Sequence, residues 1–509
     1  MATTFKPPAT QRIYDVCIVG SQLGGVVAGA LLARRGFRVL HVDHDGLGGS
    51  YVDQGYVLPW GPAMLPSPRQ LPSAELVLAE LGLATDVGRL LEPSEPDLQF
   101  LLPKHRIDLG RDAASLRQEL RREWPDEADA IEAAVGDLGK AFDVSGIFLK
   151  QAPPLPPDGF GERRTVKKAL KLASTAPGAP GPIDEVRPFP GLQSHELVRS
   201  LEVAHRFFTY LDGEPSPLSL ARLLGGAFRG THRLAGGLGA LRELIRKRIA
   251  ESRGELRGGA GEAVRAAAFE LDGSRVTAVR LADSPDAYVA RAYVAATDAA
   301  VLQTLLPAEF NASKAGRFLG EVRPSRVLLT LNLVVKQGAL PPALGDNVFA
   351  LRDPAGGDGL DNAVFLQVLP ARREGGKKSP GEVVADERVV CASAFVPAAD
   401  TGREAIQAAA ARVREAVADA IPFFERHLLS ESIPMLASPE GRPSVHPLYR
   451  VDAESTLGIT GLPVRGPFKN LFFAGREVLP GLGVEGEFYA GIEAAGHVAA
   501  ALGRKELLK

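Results

Sequence analysis

The chain has 509 residues, of which 45% are hydrophobic and 24% are charged, and its net charge at pH 7 is −2. These values are typical of a globular protein with two domains, or with one domain that carries large insertions. The balanced charge provides no basic field, so we expect no nucleic-acid partner. The two cysteines, Cys17 and Cys391, lie in predicted strands, which indicates core thiols and a reducing compartment.

Targeting and metal signals are missing from the sequence. The N-terminal tail, MATTFKPPATQR, has no apolar signal core, and no stretch is long and apolar enough to cross a bilayer. The nine histidines show no ligand spacing, so we expect no metal site. We therefore expect a cytoplasmic protein, and the sequence leaves its oligomeric state open.

Residues 13–50 predict a β-α-β unit. A β-branched run at 13–19 predicts a buried parallel strand, an Ala/Leu-rich run at 26–35 predicts a helix, and 37–42 predict a second strand. The turn before the helix reads Gly20-Ser21-Gln22-Leu23-Gly24-Gly25, and Asp43 ends the second strand. A helix N-terminus binds a diphosphate, and an acid at that position binds a ribose hydroxyl, so the segment favours dinucleotide binding. An ordinary strand-turn-helix remains the alternative, because Gln22 replaces the middle glycine of the usual pattern.

The rest of the chain alternates helices and strands. We expect helices at 72–82, 112–140, 234–252 and 402–420, a hairpin of strands 263–271 and 275–281, a short strand at 291–295, and long strands at 327–336 and 388–395. Near the end, a strand at 469–475, a glycine-rich loop at 476–483 and a helix at 484–502 point a second helix N-terminus at a ligand.

Glu485 and Glu487 begin this last helix and are the only acid/base candidates in the sequence. Their simpler interpretation is a pair of solvated acids that the helix dipole favours.

The segment 163–172 carries five bases, between two proline-rich stretches at 151–157 and 176–191. A surface helix with snorkelling lysines is its simpler interpretation, and a peripheral membrane contact is the functional one.

Together these motifs resemble the FAD-dependent phytoene desaturase and retinol saturase-like oxidoreductases of the flavin amine oxidase group. The matching segments are GSQLGG with Asp43, the glycine pair at 48–49, residues 55–62, the GGLG turn at 236–239, the strand at 262–264, residues 297–299 and the closing segment 474–491. The resemblance implies an α/β fold: a Rossmann-like FAD-binding domain of the glutathione reductase type, with an inserted substrate domain of mixed sheet and helices. The implied FAD contacts are Gly20, Ser21, Gln22, Leu23, Gly24, Gly25, Asp43, His44, Gly49, Ser50, Trp60, Gly61, Pro62, Val264, Gly475, Arg476, Gly483, Val484 and Glu485.

The resemblance also implies a division of the chain and a substrate. The FAD-binding domain would comprise 1–110, 227–305 and 465–509, with a helical lid at 111–226 and a substrate-binding sheet at 306–464. The substrate would be a long apolar molecule of isoprenoid or carotenoid type, collected from a membrane through 163–172, and the reaction a desaturation, saturation or isomerisation.

Several positions depart from the family pattern. Gln22 stands in place of a glycine, Ser50 in place of an arginine, Pro59 in place of an aspartate and Asp43 in place of a glutamate, while Glu485 and Glu487 occupy apolar positions. These departures support an alternative, a lipid-binding protein of the same fold with lost or weakened FAD binding, like the Rab escort and GDP-dissociation-inhibitor proteins. A flavin amine oxidase is a lower alternative, because an aromatic cage is hard to build from 6% aromatic residues and two tryptophans.

Overall fold

The computed structural model describes residues 11–66, 68–110, 112–176, 179, 189–259, 262–310, 313–375, 381–437, 446–452 and 459–504. Most of the N-terminal tail and most of the second proline-rich stretch lie outside these ranges. The strands are β1 (Gln11–Val19), β2 (Val39–Val42), β3 (Ser50–Asp53), β4 (Tyr56–Pro59), β5 (Met64–Pro66), β6 (Leu91–Pro93), β7 (Leu98–Leu101), β8 (Arg106–Leu109), β9 (Thr231–Leu234), β10 (Glu255–Arg257), β11 (Ala266–Asp272), β12 (Arg275–Leu281), β13 (Ala287–Ala295), β14 (Val322–Lys336), β15 (Asn347–Leu351), β16 (Ala363–Arg373), β17 (Glu382–Pro397), β18 (Leu428–Ser432), β19 (Pro447–Val451) and β20 (Leu471–Phe473).

The helices alternate with these strands along the chain. They are α1 (Leu23–Arg34), α2 (Pro72–Glu80), α3 (Ala84–Leu90), α4 (Ala113–Glu123), α5 (Ala128–Lys150), α6 (Phe160–Ser174), α7 (Glu196–Arg206), α8 (Pro217–Ala227), α9 (Gly237–Glu251), α10 (Ala299–Leu305), α11 (Lys314–Leu319), α12 (Arg403–Ala420), α13 (Pro434–Ala437) and α14 (Gly483–Ala501).

The first sheet has the strand order β10-β2-β1-β13-β12-β11, with β20 also paired to β13. Strands β10, β2, β1, β13 and β20 are parallel, while β11 and β12 form the predicted antiparallel hairpin. Val16, Ile18 and Val39 are fully buried, because α1 and α14 cover the parallel part of the sheet. The predicted α/β class and its Rossmann-like unit are therefore confirmed.

The second sheet is larger and runs β18-β14-β17-β16-β15-β7-β8, with β19 on β14, β4 on β16 and β3 on β4. The two long predicted strands are its centre: β14 and β17 pair antiparallel over eleven residues, from Arg326 opposite Pro397 to Lys336 opposite Glu387. Helix α12 packs on one face of this sheet through Ile406, Ala410 and Val413. The predicted division into domains stays a prediction, although β3, β4, β7 and β8 join this second sheet.

One helical prediction differs from the structure, and the packing of a second helix bears on its two interpretations. The single helix expected at 112–140 is two helices, because the chain turns at 124–127 between α4 and α5. Helix α6 buries Val166, Ala169, Leu170 and Ala173 in the protein core. The apolar side of the 163–172 segment is thus not available to a membrane, and its interpretation as a surface helix is the one that the packing supports.

Two further observations concern compartment and membrane. Cys17 and Cys391 are free and buried, as predicted for core thiols. Among the described residues, every helix is too short or too polar to cross a membrane.

Candidate functional site

The carboxyl ends of four parallel strands meet at one edge of the first sheet. Gly20 follows β1, Asp43 follows β2, Asp298 lies shortly after β13, and Gly475 lies shortly after β20. In an open α/β sheet this edge is where ligands bind. The structure therefore brings together the predicted glycine turn, the predicted acid and the predicted closing loop.

The glycines of the first turn permit close backbone packing. A Cβ on Gly20 would overlap the carbonyl of Ala296, and one on Gly24 would overlap the carbonyl of Ala474. A Cβ on Gly25 would overlap the Ala296 side chain. These glycines are therefore required by the contact of α1 with the strand ends, whether or not a ligand is present.

Gln22 ties this edge together. Its Nε2 donates to Oδ1 of Asp298 at 2.7 Å, and its Oε1 accepts from the backbone N–H of Arg476 at 2.9 Å. A Cβ on Gly475 would overlap Gln22 Oε1, so the glycine there makes room for the glutamine. Gln22 is 2% exposed, and its amide therefore joins two loops of the sheet edge.

Asp45, two residues after Asp43, accepts a hydrogen bond from a backbone N–H group of the turn. Its Oδ2 accepts from the backbone N–H of Ser21 at 2.9 Å, and its Oδ1 accepts from the hydroxyl of Thr297 at 2.6 Å. Burial raises the pKa of Asp45 to about 6. This role was not predicted, because an aspartate in a glycine-rich loop resembles a turn residue.

Glu487 accepts a hydrogen bond from another backbone N–H group of the turn. Its Oε2 accepts from the backbone N–H of Leu23 at 2.7 Å, and its Oε1 accepts from the Tyr210 hydroxyl at 3.0 Å. Nε of Arg476 lies 3.8 Å from Oε1. The expectation of a solvated acid is wrong, because the side chain is fully buried between α14 and the start of α1. A carboxylate thus lies where a helix N-terminus would bind an anion.

Glu485 is also buried, on the opposite side of α14. It forms a bidentate ion pair with Arg222 of α8, with Nε to Oε2 at 2.7 Å and Nη2 to Oε1 at 2.9 Å. Burial raises the pKa of Glu485, and the Arg222 guanidinium opposes this rise. Both glutamates have partners within the protein, so neither is a free acid or base in this arrangement.

Asp43, His44 and Val264 lie together at the end of β2. Oδ1 of Asp43 accepts from the backbone N–H of Gly46 at 2.9 Å, and the carbonyl of Asp43 accepts from the backbone N–H of Val264 at 2.9 Å. Nδ1 of His44 accepts from the backbone N–H of Ala266, and burial lowers the pKa of His44 to about 4. Asp43 is placed as predicted, whereas His44 is held against β11.

A cavity of about 260 Å³, called the polar cavity here because charged side chains form part of its wall, lies beside this group. Asp43, Gly49, Ser50 and Arg242 are among the residues in its wall. Gly49 packs directly on the second glycine turn, since a Cβ there would overlap the carbonyl of Gly236.

An apolar cavity of about 650 Å³ adjoins the polar one. The two cavities share four wall residues, which are Gly49, Ser50, Gly236 and Ala240. The apolar cavity extends under the second sheet, and apolar side chains of β3, β4, β16 and β17 supply much of its wall: Val52, Val57, Leu58, Leu369 and Val389. A cavity of this size is within the range that holds a small-molecule ligand.

The remaining predicted contacts lie around Trp60 and the start of α14. The Trp60 ring packs on Tyr51, with ring centroids 4.5 Å apart, and Gly61 lines the apolar cavity. Pro62 and Val484 line a separate cavity of only about 40 Å³. A Cβ on Gly483 would overlap the carbonyl of Phe208. In the region that the resemblance assigns to the flavin ring, the side at Pro62 and Val484 is thus nearly filled by protein, whereas Gly61 faces the larger cavity.

Among the described residues, no group of three or more His, Cys, Asp or Glu side chains is placed to hold a metal ion.

The parallel sheet, its covering helices and the ligand-binding edge are those of a Rossmann-like nucleotide-binding fold. Residues 18–81 match the family model of the NAD(P)-binding Rossmann-like domain. Prolycopene isomerase from Arabidopsis thaliana is 23% identical over 358 residues, which are 68% of this chain and 58% of that protein. The chain therefore matches less than two thirds of this relative's length.

Solved structures agree on the fold. An oxidoreductase from Methanosarcina mazei has a TM-score of 0.57 at 15% identity, covering 95% of this chain and 99% of that one. Putrescine oxidase with bound putrescine has a TM-score of 0.56 at 12% identity, covering 96% and 100%. Rab GDI from Plasmodium falciparum has a TM-score of 0.51 at 10% identity, covering 96% and 99%. The predicted resemblance is confirmed: the chain is similar in sequence to prolycopene isomerase and shares its fold with these solved structures.

A dinucleotide fits one part of this edge and not another. Three consecutive backbone N–H groups at the start of α1 already have protein acceptors: Ser21 with Asp45, Gln22 with the Ala296 carbonyl, and Leu23 with Glu487. A diphosphate placed there would have to displace two carboxylates. The polar cavity beside Asp43, in contrast, has room and polar groups for the nucleoside end.

Proposed function

We propose that the protein is a flavin-dependent oxidoreductase of the desaturase, saturase or isomerase type, acting on a long apolar lipid. The observation that carries the proposal is the contact between the polar cavity at the sheet edge and the apolar cavity under the second sheet. A nucleotide cofactor in the first would have its reactive end directed to a lipid in the second. FAD supplies hydride transfer when it is bound, and Asp43 is the residue that would hold its ribose.

The wall of the larger cavity favours an apolar substrate over an amine. Two of its buried or half-buried polar side chains, Arg233 and Gln367, are held by partners within the protein. Arg233 pairs with Glu92 at 3.4 Å and with Asp346 at 3.2 Å. Gln367 accepts from the N–H of Ala63 at 3.0 Å and donates to Asn347 at 3.0 Å. Recognition would therefore rest on shape and apolar contact.

The first test is a titration of the purified protein with FAD, followed by flavin fluorescence and the visible spectrum. The second step adds a carotenoid polyene in detergent micelles and follows its absorption bands, which shift when double bonds are added, removed or isomerised. We expect FAD uptake and a change in the polyene spectrum that requires FAD. Uptake of FAD without any change in polyenes would contradict the substrate class.

A second function is favoured by one specific observation, the carboxylates of Asp45 and Glu487 on the amides of α1. It is a lipid-binding protein of the same fold, in which these carboxylates occupy the backbone N–H groups that would bind a cofactor's diphosphate. The same experiment separates the two functions, because this protein would bind the polyene without taking up FAD and without altering it.

A further inference from the structure

Arg242 is a buried cation with unused hydrogen-bond donors. It lies on α9, is 5% exposed, and makes one hydrogen bond, from Nη2 to the carbonyl of Leu47 at 3.0 Å. Within the part of the chain that the structure describes, its Nε and Nη1 have no partner. A buried guanidinium with two unused donors is unfavourable unless an anion approaches it.

The acidic residues that line the polar cavity form bonds with other groups, so the anion for Arg242 would have to come from a ligand. The charged residues that line the polar cavity with Arg242 are Asp43, Glu243 and Arg246. Glu243 pairs with Arg246 at 3.3 Å, and Asp43 accepts from the backbone N–H of Gly46. Burial and the nearby Arg476 guanidinium lower the pKa of Arg242 to about 10, while the charges of Glu487 and Asp43 oppose this fall without forming a hydrogen bond to its Nε or Nη1.

We propose that Arg242 is the diphosphate-binding residue of the polar cavity, and that a diphosphate-bearing ligand binds on α9 and not at the start of α1. Such a ligand can be a dinucleotide, with its nucleoside near Asp43. It can also be a prenyl diphosphate, with its chain in the adjoining apolar cavity through the shared wall at Gly49 and Gly236. Both have the same group for Arg242 to bind, and a guanidinium matches phosphate oxygens in a bidentate manner.

The inference rests on the proposed function for the role of the two cavities, and binding measurements test it without enzyme activity. We would measure by calorimetry the binding of inorganic pyrophosphate, ADP, FAD and geranylgeranyl diphosphate, with geranylgeraniol as the ligand that lacks the diphosphate. The variants are Arg242→Gln, Arg242→Lys and the control Lys247→Gln, which removes the same charge from an exposed position on the same helix.

We expect pyrophosphate to bind the wild type, Arg242→Gln to weaken that binding by about tenfold or more, and Lys247→Gln to leave it unchanged. Arg242→Lys should fall between the two, because it keeps the charge and loses the fork of donors. Dependence of ADP and FAD on Arg242 identifies a dinucleotide site, and dependence of geranylgeranyl diphosphate alone identifies a prenyl diphosphate site.

Failure of the inference is distinct from failure of the proposed function. FAD that binds equally to the wild type and to a folded Arg242→Gln protein would overturn the role of Arg242 and leave the oxidoreductase standing. Prenyl diphosphate binding through Arg242 without FAD binding would keep the inference and reject the oxidoreductase. Absence of binding for all four diphosphate ligands would overturn the inference. Thermal unfolding of each variant checks its folding; because Arg242 makes one hydrogen bond, we expect Arg242→Gln to unfold within a few degrees of the wild type.

Discussion

Glu487 is the side chain that closes the start of α1, since it places a carboxylate on the Leu23 amide. Replacing it with glutamine removes the negative charge and keeps an acceptor for that amide. We expect Glu487→Gln to raise the affinity for ADP about tenfold, because a like charge near a diphosphate opposes its binding. Calorimetric titration measures this. Glu493→Gln, the same change elsewhere on α14, is the control, and an affinity that falls in Glu487→Gln would show that the glutamate assists binding.

Asp45 makes stability depend on pH. Its pKa rises from 3.8 to about 6 on folding because of burial. Between these values the folded protein holds a proton that the unfolded chain has lost, so raising the pH lowers the free energy of unfolding. In Asp45→Asn this loss is absent. We therefore expect the stability of the variant, relative to the wild type, to increase by about 2 kcal/mol between pH 4 and pH 7.

Urea unfolding of both proteins at the two pH values checks this expectation. The buried histidines titrate in the same range but are present in both proteins, so their contribution cancels in the difference. A difference between the proteins that stays constant with pH would contradict the role given to Asp45.

Among individual residues, the sequence located those that a local pattern identifies. Asp43 stands at the end of β2 as predicted, and Gln22 was recognised as a departure from the glycine pattern. Asp45 and Arg242 were not recognised. Their roles depend on partners far away in the chain, such as Thr297 for Asp45 and Leu47 for Arg242, and spacing along the sequence does not contain that information.

At the scale of elements, α6 presents a basic surface to solvent. Its five bases, Arg163, Arg164, Lys167, Lys168 and Lys171, are exposed, as are Phe160 and Leu172, whereas its apolar side is buried. A membrane contact would therefore be electrostatic, with about 1 kcal/mol from each base near an anionic surface. We expect co-flotation with anionic liposomes at low salt, and its loss at high salt.

Neutralising the five bases to glutamine should abolish this flotation. The control is Phe160→Ser, which tests insertion of the most exposed ring and should have a small effect if charge dominates. If the variant with all five bases replaced floats as well as the wild type does, α6 is an ordinary surface helix.

Elements with a strong local pattern were predicted within a few residues. Strand β1, helix α1, the β11–β12 hairpin, the long strands β14 and β17, and helix α14 all occur where apolar runs and turn signals placed them. The helix break at 124–127 was not predicted, although Pro125 lies within it and a proline interrupts a helix. The placement of β3, β4, β7 and β8 in the second sheet is set by pairing with distant strands, which local patterns do not encode.

For the whole molecule, the shared wall at Gly49, Ser50, Gly236 and Ala240 predicts that the two cavities influence each other. A ligand in the polar cavity orders this backbone and so lowers the entropy lost when a lipid binds next to it. We expect saturating ADP to tighten the binding of a fluorescent polyene about fivefold. The polyene must then tighten ADP by the same factor, because coupling free energies are reciprocal.

Fluorescence titrations in both orders measure the two factors. Equal affinities with and without ADP would show that the cavities are independent, and unequal factors in the two directions would show that one ligand binds elsewhere.

The bridge that Gln22 forms between Asp298 and Arg476 has a consequence for how the protein matures in the cell. When the backbone N–H groups at a nucleotide-binding sheet edge have no protein acceptors, a newly made polypeptide keeps buried donors without partners until its cofactor binds. Folding then depends on the supply of the cofactor. Here Gln22, Asp45 and Glu487 supply acceptors for the backbone N–H groups of Arg476, Ser21 and Leu23 from the chain itself. The polypeptide should therefore reach its native shape during synthesis in a cell starved of riboflavin, and accumulate there to the same level as in a replete one.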